Sequence, residues 1–396
     1  MTLYAGPIFD CDTHLYEKPD AWRRYLPEKY KDWEFHFKTG EDGEHALFIG
    51  DRRVEATAGY VTEDGRVAPP GQLHEWLRAI KEGRENVDMR VHMTPDMVDR
   101  DARIAKMDEF GVEGCTLYMG WMNAGHAYLT EPESAYEVIH AYNRYLDEDW
   151  GFAYKNRIFT APLLTLMDLD RAVQEAKWVV KQGARLVVMP MGPVHGKPPA
   201  HPDHDPFWSV LNEAGVHVAY HVGEATHMHA HMREWGEKPL EQRMRQSPWT
   251  WMHAYSERPL IETLSSAIFL NFFERFPNIK LISAENGCEW VPDMLIKMDK
   301  VRGIAKNGYW MCGQLKERPS RIFKRHVRVV AYPEDNLQSV VERVGSAECL
   351  LMGSDYPHAE GVSTPRKFAD EACEGLTDEQ TRAIMYDNGK ELFATA

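Results

Sequence analysis

The chain has 396 residues, 43% apolar and 27% charged, which is enough apolar side chain to bury a sizeable core and too much for a disordered chain. Its 46 Lys and Arg stand against 61 Asp and Glu, a formal net charge of −15, which argues against nucleic acid or an anionic membrane as the main partner but leaves open a small anionic substrate, which needs only a local positive site. The 6 cysteines are scattered with no C-x-x-C, and no stretch reads as a signal peptide or a membrane span, so reduced thiols in a cytoplasmic protein are the simplest expectation.

Pro7 to His14 is the first expected strand. A long polar stretch follows, about residues 16–100. Within it, Glu34 to Phe37 and Ala46 to Ile49 flank a turn-rich segment and read as a β-hairpin. Asp101 to Phe110 is helical, stopped by Gly111, and Cys115 to Met119 is the next strand. Ser134 to Tyr154 is a helix before a strand at Arg157 to Leu163. Leu169 to Gln182 is a helix closed by Gly183, before a strand at Ala184 to Met189. Asp205 is the expected cap of a helix from Pro206 to Ala214, ended by Gly215, and Val216 to His221 is a strand. Leu260 to Phe276 is helical. Ile279 to Glu285 and Val327 to Ala331 are strands. Glu334 to Val344 is helical, Cys349 to Asp355 is the last strand, and Thr377 to Phe393 is the closing helix.

Apolar strands separated by helices imply a parallel sheet covered on both faces. About eight such units in one chain imply an α/β fold of the (β/α)8 TIM-barrel type, one domain over residues 1–396, with an inserted cap at about 16–100. A doubly wound open sheet is the alternative, weakened because no G-x-G-x-x-G follows the first strand.

In a barrel, catalytic groups lie at the C-terminal ends of strands. Those ends read Asp10-Cys11-Asp12-Thr13-His14, His221-Val222-Gly223-Glu224, Glu285-Asn286-Gly287, and Gly353-Ser354-Asp355-Tyr356-Pro357-His358. Alternation along a strand points Asp10, Asp12 and His14 the same way. Imidazoles and carboxylates without thiolates suit Zn²⁺, Mn²⁺ or Fe²⁺ rather than a closed structural zinc site. Alone, each residue has a plainer role: a strand-end Asp is often a helix cap, and a strand His is often a hydrogen-bonded core residue. The recurrence of such groups at several strand ends is what favours a metal centre.

Those same motifs, with Glu17, Phe276-Pro277-Asn278-Ile279 and Cys288-Glu289-Trp290 between them, resemble the amidohydrolase superfamily. The resemblance is to the amidohydrolase-related branch that contains aminocarboxymuconate-semialdehyde decarboxylase and the γ-resorcylate-type decarboxylases. It implies a (β/α)8 barrel with one catalytic divalent metal, zinc first, held by Asp12, His14, His221 and Asp355. Two departures stand out. The first-strand motif is Asp-x-His where His-x-His or Glu-x-His is usual, and Glu285 stands where the sixth strand usually ends in His.

The expected chemistry is metal-activated water attacking a small amide, ester, lactone or cleavable C–C substrate. Asp355 is the catalytic proton shuttle, and Glu285 orients substrate or acts as a second base. Trp121, Asn123 and His358 are expected substrate contacts. Non-oxidative decarboxylation of an aromatic or unsaturated acid is the alternative, and a non-catalytic metal-binding protein the third reading. His227, His229 and His231 fall on one side of an extended segment and suggest either a second metal or a His-rich lid. His195, His201 and His204 lie in a loop expected to border the pocket. The aromatic-rich insertion (Trp22, Tyr25, Tyr30, Trp33, Trp76) suggests a dimer interface, and the resemblance implies a homo-oligomer.

Overall fold

The apolar runs become short parallel strands: β1 (Ile8–Asp10), β2 (Val112–Leu117), β3 (Ile158–Thr160), β4 (Leu186–Val188), β5 (His217–His221), β6 (Leu281–Ala284), β7 (Val327–Val330) and β8 (Leu350–Leu351). The computed structural model describes residues 4–83, 89–223, 225–238, 246–255 and 257–394; Glu224 lies outside the described residues. Strands β1 to β3 pair in sequence order as one sheet, and β4 to β8 as another. Parallel bridges join the two sheets. Leu163 pairs with Val188 on one side and Thr13 with Tyr356 on the other. The second seam is reinforced where Cys11 N–H donates to the Met352 carbonyl and Asp355 N–H to the Asp12 carbonyl. Together these contacts close an eight-stranded barrel.

Residue choice explains where the covering helices start and stop. Helix α1 (Arg100–Phe110) begins where the Asp99 carboxylate accepts the backbone N–H groups of Asp101 and Ala102, and it ends on left-handed Gly111. Helix α2 (Pro132–Asp149) has Pro in its first turn, and α3 (Leu169–Lys181) is capped by Asp168. Helix α4 (Asp205–Ala214) stops at left-handed Gly215, as expected. Its expected cap is a correction: Asp205 is the first helical residue, and its carboxylate pairs with Arg275 instead. The expected helix from Leu260 to Phe276 is two helices, α5 (Arg258–Phe269) and α6 (Phe272–Arg275), because Asn271 takes a left-handed turn at φ 53°. Helix α7 (Leu337–Val344) starts later than expected, capped by Asn336. The C-terminal helical segment opens with a Thr377–Gln380 capping box and passes through a π-turn at Ala383–Asp387.

The insertion contains the expected hairpin, Phe35–Thr39 against His45–Ile49, extended by a short third strand at Arg52–Arg53. Trp22 is fully buried, its ring 5.8 Å from Phe35 and 6.5 Å from Tyr142 of α2. Tyr30 is buried too, so these two aromatics pack inside the chain and are not available to an interface. Side chains of the insertion, among them Leu47, Val54 and Val67, share one continuous apolar core with the barrel.

Candidate metal centre

The expected strand-end residues converge at the C-terminal mouth of the barrel. The chain leaves β1 at Asp10, and the following residues are fixed by neighbours on both sides. His14 N–H donates to the Tyr356 carbonyl, and the buried Arg103 guanidinium of α1 donates to the His14 carbonyl at 2.6 Å. A Cβ on Gly353 would lie 2.5 Å from the Cβ of Asp12, so only glycine lets β8 approach β1 this closely.

His14 Nε2 then lies 3.4 Å from Asp12 Oδ1, 3.3 Å from Asp355 Oδ1 and 3.1 Å from His221 Nε2. His221 Nε2 lies 3.4 Å from Asp12 Oδ1 and 3.5 Å from Glu285 Oε2. The opposite nitrogens of both rings are occupied. His14 Nδ1 donates to the Met119 carbonyl at 2.8 Å, and His221 Nδ1 to the Val222 carbonyl at 3.0 Å. These contacts leave a lone pair on each Nε2, and both face one point. Asp12 Oδ1 faces it as well, buried and without a hydrogen-bond donor. Two imidazole lone pairs and an orphaned carboxylate oxygen fit a divalent cation, which would satisfy all three.

The electrostatics agree. Burial alone would push Asp12 up, but the charge of His221 and the nearness of both imidazoles hold it below the usual carboxylate range. Burial works against protonation of His221, yet the Asp12 charge raises it to about 9. The point therefore attracts a positive charge, and a proton and a metal compete for the same lone pair. Burial and the charge of His358 lower His14 to about 3, leaving it a neutral donor. Asp355 and Glu285 are both pushed well above the usual range by burial, Glu285 also by the charge of Asp355. Both take left-handed backbone, φ 55° at Asp355 and φ 53° at Glu285, of the kind that clusters at functional sites.

Asp10 faces inward but not to the centre. Its carboxylate accepts Ser354 N–H at 2.9 Å and Ser354 Oγ–H at 2.6 Å, tying β1 to β8. His358 is not a loose loop residue: its Nδ1 lies 2.9 Å from Asp355 Oδ1, and its ring stacks on His14 at 4.1 Å. A cavity of about 100 Å³ opens beside His358, Glu285, Trp121 and Asn123. Tyr16, Tyr60, Tyr255 and Glu360 line it too, none of them singled out in the sequence. Glu360, two residues beyond His358, was within reach of the strand-end reading. Tyr60 belongs to the insertion, and no periodicity marks it.

Glu17 positions one wall. Its buried carboxylate accepts N–H bonds from Gly120, Trp121 and Met122 at 2.8–3.2 Å, and the Tyr142 hydroxyl at 2.8 Å. Asn123 is thereby presented to the Val222 carbonyl, to which its Nδ2 donates at 2.9 Å.

Two expectations about histidines are corrected. Thr226–Glu234 is a helix, so His227 and His229 fall on opposite faces rather than one side of a strand, and His229 is buried. Among the described residues, no metal-binding group includes His227, His229 or His231. His195, His201 and His204 do not line the cavity. His195 Nε2 meets the Met167 carbonyl of the preceding loop, while His201 accepts Asp203 N–H and His204 meets the Pro199 carbonyl within their own loop.

No curated protein matches the chain. Among solved structures, it is similar to an amidohydrolase from Mycobacterium avium subsp. paratuberculosis K-10, with 29% identity, a TM-score of 0.81, and 99% of this chain and 100% of that one covered. It shares the fold of 5-carboxyvanillate decarboxylase from Sphingomonas paucimobilis, with 16% identity, a TM-score of 0.60 and 98% of each chain covered. It also shares the fold of a manganese-bound dihydroxybenzoic acid decarboxylase from Polaromonas sp. JS666, with 14% identity, a TM-score of 0.61, and 98% and 97% covered. The amidohydrolase family model matches residues 87–395, and this shows that the chain belongs to the amidohydrolase family.

Proposed function

We propose that the protein is a hydrolase of a small carbonyl compound: an amide, ester, lactone or cleavable C–C substrate. The observation that carries this reading is the charge of the cavity. Its described lining includes the Glu360 carboxylate and no Lys or Arg, so apart from the metal a carboxylate substrate would find no fixed cation to hold it. Glu285 in place of the usual His strengthens the same bias, since a carboxylate gives no imidazolium partner to an acid.

Asp12, His14, His221 and Asp355 would hold one divalent cation, which when bound supplies Lewis-acid polarisation of the substrate carbonyl and of the attacking water. Zinc suits this donor set; the manganese of the Polaromonas protein and of a 5-carboxyvanillate decarboxylase from Novosphingobium aromaticivorans supports manganese as well. Asp355, hydrogen-bonded to His358, accepts the proton of the attacking water and returns it to the leaving group. Glu285 orients the substrate or serves as a second base. Trp121, Asn123 and His358 form the substrate walls, and Glu17 holds the first two in place.

Residues 1–396 act in this reading as one catalytic unit, a cytoplasmic homo-oligomer. The insertion residues that line the cavity support the single unit. No helix among the described residues is long and apolar enough to cross a membrane.

The second reading, decarboxylation, is favoured by the decarboxylases among the structural neighbours. Incubating metal-loaded protein with matched panels of esters, amides and lactones, and of hydroxybenzoates, separates the two. Cleavage without CO₂ is expected; CO₂ release from a hydroxybenzoate, with the esters untouched, replaces hydrolase by lyase.

A further inference from the structure

We propose that Tyr332 is a positioning residue for Glu285: its hydroxyl, bound to the Glu285 carbonyl, fixes the left-handed turn that aims the Glu285 carboxylate at the metal centre. This rests on the role given to Glu285 above and holds for either reaction class. Glu285 sits one residue past β6 at φ 53°, a conformation that glycine takes freely and a residue with a side chain takes only under strain. Such a residue persists where its surroundings over-determine it. The turn brings Oε2 to 3.5 Å from His221 Nε2 and places Glu285 in the lining of the cavity.

The restraint comes from the loop after β7. Tyr332 Oη donates to the Glu285 carbonyl at 2.8 Å. A phenol stays protonated at neutral pH, so this donor is always present. The Tyr332 ring packs over Gly287, where a Cβ would lie 2.7 Å from ring atom Cδ2, so only glycine admits the ring. Asp335 ties both loops at once, its Oδ2 accepting Tyr332 N–H at 2.9 Å and Cys288 N–H at 2.7 Å. Glu289 of the first loop in turn accepts Asn336 N–H of the second at 3.0 Å. Trp290 Nε1 braces the β6 loop separately by donating to the Gly287 carbonyl at 2.9 Å, so the loop does not depend on the Tyr332 hydroxyl for its course. Tyr332 stands outside the described cavity lining and therefore reaches a substrate through Glu285.

The test is a double-mutant cycle of Tyr332→Phe and Glu285→Gln in the metal-loaded protein, read as kcat on whichever panel compound turns over. The choice between hydrolysis and decarboxylation is thereby a separate result. Tyr332→Phe removes the hydroxyl and keeps the ring over Gly287. It is expected to lower kcat about 5–10-fold, as the loss of one net hydrogen bond would give, with bound metal and thermal midpoint near wild type. In the Glu285→Gln background no carboxylate remains to be aimed, and the same change is expected to alter kcat less than about 2-fold. A brace that only held the loop would give equal factors in both backgrounds, and that result overturns the proposal, as does Tyr332→Phe at the wild-type rate. Glu285→Gln at the wild-type rate overturns the role of Glu285 and the proposal with it, whereas a slowed Glu285→Gln beside an unaffected Tyr332→Phe removes the proposal alone. Crystal structures of metal-loaded wild type and Tyr332→Phe read the geometry without turnover. The Glu285 carboxylate is expected to shift by about 1 Å or more, and an unmoved carboxylate overturns the proposal.

Discussion

Truncating Glu17 tests whether one buried carboxylate builds the substrate wall. In Glu17→Ala, the donors that it serves lose their acceptor: three backbone N–H groups at the start of the Trp121–Gly125 turn and the Tyr142 hydroxyl. Each buried donor left unsatisfied costs about 1–3 kcal/mol, and water entering the vacated space relieves part of that, so the low end of about 1 kcal/mol for each donor predicts a loss of about 4 kcal/mol. Glu17→Gln keeps the shape and one acceptor oxygen but turns an amide donor toward N–H groups, for a loss of about 1–2 kcal/mol. Urea unfolding followed by circular dichroism measures both. The wall should shift with the fold, so KM for a cleaved ester should rise in Glu17→Gln while bound metal stays near the wild-type level. A Glu17→Ala protein less than about 1 kcal/mol below wild type would refute the reasoning, because it would mean that the donors find water at no cost.

Other expectations concern the centre and the pH response. Purified protein should carry close to one equivalent of divalent metal by elemental analysis, and His221→Ala should carry little; full activity in a metal-free preparation contradicts the centre. Asp355→Asn should keep the thermal midpoint within a few degrees while kcat falls by about 10²–10⁴, and normal turnover would show that Asp355 moves no proton. Burial and, against it, a hydrogen bond to the Leu392 carbonyl leave His217 lowered to about 4. The unfolded chain then binds more protons than the folded one between about pH 6.5 and 4, so this residue's contribution is complete above pH 6.5 and declines as pH falls through that window, by about 3 kcal/mol at most. His217→Gln should flatten the loss of urea stability between pH 7.5 and 4.5; an unchanged slope assigns the acid sensitivity elsewhere.

The sequence by itself determined the barrel class and the positions that face its mouth. Apolar runs alternating with capped helices admit few other packings, and residues at the ends of parallel strands necessarily share one rim. Asp12, His14, His221 and Asp355 were legible for that reason: each sits at or just past a strand end, where local pattern alone places it. Only the tertiary structure decided which neighbours those side chains turn toward. Asp10 shares the inward face of Asp12, yet the Ser354 donors from β8 claim it, and no local pattern reveals a partner 344 residues away. His227, His229 and His231 alternate in sequence, yet a helix turns His229 away from His227 and His231. Glu17, Tyr60 and Glu360 acquire their places through contacts between the insertion, the second strand's loop and the last strand's loop. Those contacts depend on loop closure across the barrel, which local propensity does not encode.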